Sequence, residues 1–487
     1  MSPRLVRLLA APIGLAGAFA AIAVLANGPA ASAAYPAAFG GTWRTARELP
    51  GIGSLNKGGN SALLALSCGS PGNCAAGGYY SQSGGRRQAF VADERNGAWR
   101  AAAAVPGIAA LNKGGDARVL SVSCATAGNC AAGGMYLDAS GHYQAFVVTE
   151  KNGRWAKGII APGTGTLNKG GQAATVSVSC GQAGNCAAGG NYRDGSAHSQ
   201  AFLLNSVNGA WRAAKPVPSL ATLNIGNDGE LDSLSCAGVA CSAGGLYVDG
   251  SGAFQGFVVT AKNGKWGAAR EVPGLGALNV GGFARVSVVS CASAGNCAAG
   301  GLYHTGPSQV QAFVATEVNG GWGTAQPVPG TLALNTGQDS FMSSLSCASA
   351  GNCSGAGSYT DSLGHSWPFV VTEKNGTWGT AVPAPGVHKL SVPLGFGEIN
   401  ALSCASAGNC AGAGQYDDAT SHQQAFVIVQ RNGTWTAAIK VPGLLALNKD
   451  NSAVAAVVSC RAPSTCIAGG FYHDAFGRQE PFVIARR

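Results

Sequence analysis

The sequence predicts an all-β protein: an eight-bladed β-propeller of four-stranded antiparallel blades, closed by an N-terminal strand that completes the last blade. Three observations carry this expectation. First cysteines of successive Cys pairs lie 56, 56, 56, 55, 56, 57 and 56 residues apart, so one unit is written eight times. Each unit holds four short strand patterns separated by turn residues, as a propeller blade requires. The two ends of the chain are complementary fragments of that unit.

Within a unit, the first strand alternates and ends at the first cysteine, as in Val119 to Cys124. The second runs from the second cysteine to a tyrosine, Cys130 to Tyr136. The third is the Gln144-Ala145-Phe146 type of segment, and the fourth contains the tryptophan of Asn152-Gly153-x-Trp155. Gly-Asn before the second cysteine and Asn-Gly before the tryptophan are hairpin chemistry, because both favour positive φ. No segment after the N-terminus has a helical period. Trp43 arrives before any cysteine pair, and the last unit stops at Pro481 to Arg487 without a tryptophan strand. The N-terminal strand therefore supplies the missing fourth strand, and the ring closes with no open edge.

Arg4 and Arg7, an apolar run from Leu8 to Ala26 and Ala31-Ser32-Ala33 read as a secretory signal peptide over residues 1–33, followed by the propeller over 34–487. An uncleaved anchor is the alternative. Export and eight regular pairs argue for disulfides Cys68–Cys74, Cys124–Cys130, Cys180–Cys186, Cys236–Cys241, Cys291–Cys297, Cys347–Cys353, Cys404–Cys410 and Cys460–Cys466. Zinc ligation is disfavoured by the spacing and by the lack of a recurring histidine beside the pairs. The charge of +9 is spread over the chain without a basic run, which argues against a nucleic-acid partner. No later segment is apolar and long enough to span a bilayer, so no membrane partner is expected once the signal is removed. The expected product is a secreted, extracellular monomer.

In a four-stranded antiparallel blade, the Cys–Cys turn and the Asn-Gly-Trp turn share one face. The loop between strands two and three shares the other with the link to the next blade, and ligands are sought there. The expected ligand-binding residues are Tyr136, Asp138, His142 and Gln144, with Tyr192, Asp194, His198, Tyr359, Asp361, His365, Tyr416, Asp418 and His422 in other copies. A ring for stacking beside directional donors and acceptors suits a sugar. Equally, Asp, Gly and His are turn formers, and the recurring link asparagine (Asn112, Asn168 and equivalents) suits a structural bond to backbone.

Departures from the repeat point elsewhere. Asp228, Glu230 and Asp232 alternate on the first strand of the fourth unit, and Glu398 matches Glu230 in the seventh. These acids are weak catalytic candidates: two carboxylates in unlike surroundings can divide acid and base roles. Ion pairing with Arg118 and Arg285, which share the column of the two glutamates, is the structural alternative. No metal site or cofactor is expected, calcium at the clustered acids being the one alternative.

The units resemble a repeat of secreted proteins from high-GC Gram-positive bacteria (actinobacteria), with consensus VSCASAGNCAAGGYY, QAFV, NGTWG and VPGLAALN, a resemblance that implies no activity. The Gly-Gly, Tyr and Trp order is also similar to kelch repeats. Asn-Gly-x-Trp resembles the Asp-box hairpin of sialidase-like propellers, although the serine and aspartate of that box have no counterpart at Thr149 to Trp155 and no arginine triad is present. These readings converge on binding of an extracellular glycan or other polymer. A glycoside hydrolase or lyase with an axial acidic site is the alternative, and a surface scaffold without small ligand a further one.

Overall fold

The computed structural model describes residues 41–392 and 395–487; the expected signal peptide lies outside them. Eight antiparallel sheets form a ring, and the first strands of neighbouring blades pack side by side around its axis. In blade 2 the strands are Ala117–Thr126, Asn129–Leu137, Tyr143–Lys151 and Arg154–Trp155. The fourth strand is split. After Trp155 the chain leaves the sheet and returns as Ile159–Ile160 against Val147 and Phe146. Every link then makes one helical turn, such as Ile108–Leu111, which is too short for a helical period to show in the sequence.

Ring closure follows the expectation. Arg47–Glu48 pairs with Val483 and Phe482, and Trp43 bridges to Arg486. All eight disulfides are formed, each across the hairpin of strands one and two. Eight disulfides in one chain belong to a protein that folds in an oxidising, extracytoplasmic compartment. Among the described residues no helix is long and apolar enough to cross a membrane.

The core repeats with the sequence. The third-strand phenylalanines, from Phe90 to Phe482, are fully buried in every blade. The second glycine of each Gly-Gly is required by close approach: a Cβ on Gly134 would lie 1.9 Å from the Arg118 carbonyl oxygen of the facing strand. The serine before each first cysteine is also buried, and its Oγ accepts the backbone N–H of the next blade's first cysteine. These bonds run Ser67 to Cys124, Ser123 to Cys180, Ser179 to Cys236, Ser235 to Cys291, Ser290 to Cys347, Ser346 to Cys404 and Ser403 to Cys460, at 2.8–3.0 Å. Ser459 to Cys68, at 3.0 Å, completes the circle across the chain ends. A belt of eight buried hydrogen bonds thus joins blade to blade near the axis.

Candidate functional site

The two faces are as the strand order requires. Gly153 N donates to Gly128 O at 2.8 Å, placing the disulfide turn beside the Asn-Gly-Trp turn on one face, the staple face. Tyr143 N donates to Gly171 O at 2.9 Å, placing the loop between strands two and three beside the inter-blade link on the other, the loop face.

The repeated residues of the loop face are engaged in holding it together. Tyr136, Tyr192, Tyr359 and Tyr416 are buried, with at most 8% exposure, so their rings fill the blade interior and offer no stacking surface. Burial pushes the Tyr136 and Tyr416 hydroxyls up to about 12. The Asp138 carboxylate closes its own loop. Its Oδ1 accepts from the backbone N–H groups of Ser140 and His142, and its Oδ2 accepts from Gln144 Nε2 at 2.9 Å. Gln144 Oε1 in turn accepts from Asn168 Nδ2 of the following link at 3.1 Å. The same Asp–Gln–Asn chain recurs as Asp194–Gln200–Asn224, Asp249–Gln255–Asn279 and Asp418–Gln424–Asn448.

Trp367, the tryptophan off the repeat, takes the glutamine position in blade 6 and donates its Nε1 to Asp361 at 2.9 Å. The His142 and His365 rings lie against Gly171 and Gly395, positive-φ residues of the next link. His198 lies 3.7 Å from Asp194, and His422 lies 3.9 Å from Asp418. Hydrogen bonds to the charged form hold the Asp138, Asp361 and Asp418 carboxyls below the usual range, against the opposing effect of partial burial.

With the repeat absorbed by structure, the departures at the axis remain. On each first strand, residues eight, six and four before the cysteine face the axis, while those between them are buried; Arg118 and Leu120 alternate with buried Ala117 and Val119. The position four before the cysteine sits in a β-bulge of every first strand, as between Leu231 and Ser233, which re-aims its side chain.

Asp232 occupies that bulge in blade 4. It is 5% exposed and receives both Nε and Nη2 of Arg285 from blade 5, the Nε–Oδ2 distance being 2.5 Å. Burial raises the Asp232 carboxyl and Arg285 pulls it back. Glu230 lies 3.6 Å from the same guanidinium. Arg118 is held likewise by Asp116 at 2.7 and 2.9 Å. Asp232 and Glu230 are thus tied up in an inter-blade ion pair, and Asp228 Oδ1 caps the Ser199 N–H at 3.1 Å.

Glu398 differs. Its carboxylate accepts from Gln415 Nε2 at 3.2 Å with no guanidinium alongside among the described residues, and burial raises its pKa above the usual carboxylate range. Partly exposed rings occupy the same inward columns: Phe396 two residues earlier in the chain, Phe341 of blade 6 in the column of Glu398, and Phe283 of blade 5 in that of Phe396. Phe283 stacks with Phe254 and His304 at 5.1 and 5.2 Å, and His388 of the seventh link lies 4.7 Å from Trp367. The inward columns carry six carboxylates (Asp116, Asp228, Glu230, Asp232, Asp339 and Glu398) against Arg118 and Arg285, in a chain whose net charge is +9. At the opposite end of the axis, Arg461 of blade 8 donates to the carbonyl oxygens of Cys68 and Cys124, where the other blades carry glycine or alanine. Among the described residues no group of three or more His, Cys, Asp or Glu could hold a metal ion.

No protein-family model matches the chain, and no curated protein matches it. Among solved structures it is similar to an ulvan lyase of polysaccharide lyase family PL25, at 10% identity over 73% of this chain and 89% of that one, with a TM-score of 0.40. A protein of unknown function from Dyadobacter fermentans matches at 10% identity over 64% and 93%, with a TM-score of 0.36. The Hadza microbial sialidase Hz136 matches at 9% identity over 91% and 68%, with a TM-score of 0.35. At these scores the likeness is no basis for assigning an activity.

Proposed function

We propose that this chain is an extracellular glycan-binding propeller, and that its ligand enters the loop-face mouth of the axis beside blades 5 to 7. The observation that carries this reading is the association of partly exposed Phe341 and Phe396 with the unpaired Glu398–Gln415 couple. An aromatic ring covers the apolar face of a sugar, and a carboxylate with an adjacent amide pairs its hydroxyls. The acidic excess of the inward columns favours a neutral or amino-bearing glycan over a uronate polymer.

Glycan-array binding of the wild type, Phe341→Ala and Glu398→Gln tests this. Loss of roughly tenfold or more in affinity is expected for each variant, as for removal of an anchoring contact. Binding that survives both substitutions, or no binding across a broad panel, would sink the proposal. The raised pKa of Glu398 favours one second reading, a proton-donating role in a hydrolase or lyase. In that case Glu398→Gln abolishes polysaccharide cleavage while leaving binding in place.

A further inference from the structure

On the staple face, third strands of neighbouring blades meet through buried polar residues. Between blades 4 and 5, Trp322 Nε1 donates to Thr260 Oγ1 at 3.2 Å, and that hydroxyl donates to Glu317 Oε1 at 2.9 Å. Between blades 5 and 6, Trp378 donates to Thr316, which donates to Glu373, both at 3.1 Å. Between blades 6 and 7, Gln430 Nε2 donates to Thr372 Oγ1 at 2.9 Å. At the first two of these junctions a hydroxyl stands between tryptophan and carboxylate, accepting from one and donating to the other.

Between blades 1 and 2 the hydroxyl is replaced by a second carboxylate. Trp155 Nε1 donates to Asp93 Oδ1 at 3.0 Å, but Asp93 has no proton to pass to Glu150, which holds the glutamate position. Glu150 is 3% exposed and lines a cavity of about 200 Å³ together with Asp93, Glu94 and Arg95. Its near neighbour is Arg95 Nη2 at 3.7 Å, beyond hydrogen-bond reach, and the same nitrogen lies 3.4 Å from Asp93. Arg95 is drawn away toward the carbonyl of Gly153. The other acid on the cavity, Glu94, is taken by Arg487 at 2.5 Å, with Arg47 acting on it from the closing strand. The cavity therefore holds three carboxylates, and Arg95, the one cation among its described lining residues, faces two of them.

We infer that the junction between blades 1 and 2 is a proton-responsive contact: one proton held by the Asp93–Glu150 couple closes it, and loss of that proton loosens it. A protonated Glu150 supplies the O–H that Thr260 and Thr316 supply elsewhere, donating to Asp93. Deprotonated, the couple places two anions side by side on the cavity wall, with Glu150 buried. Burial, reinforced by the Asp93 carboxylate and opposed by Arg95, pushes Glu150 from 4.5 up to about 7. Because the closed form holds the proton more tightly than the open form, the proton's contribution is full below about pH 4.5. It falls as pH rises toward 7 and is gone above that.

Hydrogen exchange of the segments around 127–130 and 152–155 tests this, corrected for intrinsic rates. Opening of the wild type is expected to be roughly tenfold or more greater at about pH 8 than at about pH 5.5. The equivalent segments between blades 6 and 7, where the non-titrating Gln430 holds the glutamate position, should stay flat. Asp93→Thr, which installs the hydroxyl used at the other junctions, and Glu150→Gln should each flatten the profile. A flat wild-type profile overturns the inference whether or not the variants fold, as does a wild-type slope that persists in both variants.

Discussion

Asp232 and Arg285 give the sharpest test of which axial acids belong to the scaffold. Each is replaced by alanine, singly and together. Alanine already occupies these columns elsewhere, Ala456 in that of Asp232, and Ala62 and Ala174 in that of Arg285, so the double variant introduces no foreign shape. Asp232→Ala removes two charge-assisted hydrogen bonds, each worth about 1.5–3 kcal/mol when fully buried. The Arg285 side chain is 35% exposed and retains Glu230 at 3.6 Å, so rehydration recovers part of this and the cost is about 2 kcal/mol. Arg285→Ala leaves a carboxylate whose side chain is 6% exposed without its partner, at about 3 kcal/mol.

The double variant removes both charges and should cost only about 1–2 kcal/mol against about 5 for the sum of the single variants, leaving a coupling of about 3–4 kcal/mol. Urea unfolding is the assay, since guanidinium salt would screen the pair. A coupling below about 0.5 kcal/mol would refute the structural role. An Asp232→Ala protein of unchanged stability that has lost a polysaccharide-cleaving activity would refute it too, returning Asp232 to the catalytic candidates.

Ser235→Ala in the belt leaves the buried Cys291 N–H without an acceptor and should cost about 1–3 kcal/mol in the same assay, whereas Ser140→Ala on an exposed loop should stay within about 0.5 kcal/mol. Trp322→Phe removes the indole bond to Thr260 and should cost about 1 kcal/mol more than Trp435→Phe, because the Trp435 indole nitrogen is buried without a partner; equal costs would mean that the inter-blade bond contributes nothing.

The blade pattern was legible because it is local. Strand alternation, the Asn-Gly and Gly-Asn turns and the short disulfide loops all lie within a few residues of one another, and repetition multiplies the signal. Closure by Trp43 was legible from the missing strand at the other end. The loop face misled because its bonds cross blades: Asn168 meets Gln144 from 24 residues away, and Asp138 completes the chain only in space. A recurring Tyr-x-Asp with a following His has the composition of a sugar site and of a satisfied turn alike, and only the burial of Tyr136 separates them. Asp232 stood out as one of three alternating acids, and Arg285 was a candidate partner by its column, but whether the two meet across 53 residues and two blades is decided only in space. The split of the fourth strand was hidden because both halves, Trp155 and Ile159–Ile160, carry ordinary strand residues.

The symmetry-breaking residues separate into two groups, and the separation supports the functional reading. One group gathers where the ring is sealed without chain continuity. Arg431 donates to the Gly41 carbonyl, Arg461 spans the carbonyls of blades 1 and 2, Arg486 reaches the Pro463 carbonyl and Arg487 pairs with Glu94. Four guanidiniums at one seam reinforce closure, a demand that no other junction faces, and they lie toward the staple face. The other group, Phe341, Phe396, Glu398 and Gln415, lies at the axis in blades 6 and 7, away from the seam. Closure does not call for partly exposed rings beside an unpaired acid: the other charges of the Phe341 and Glu398 column, Arg118, Glu230 and Arg285, each face an opposite charge, and its remaining positions are alanine or valine. A cost that the scaffold does not require is the expected mark of a binding site.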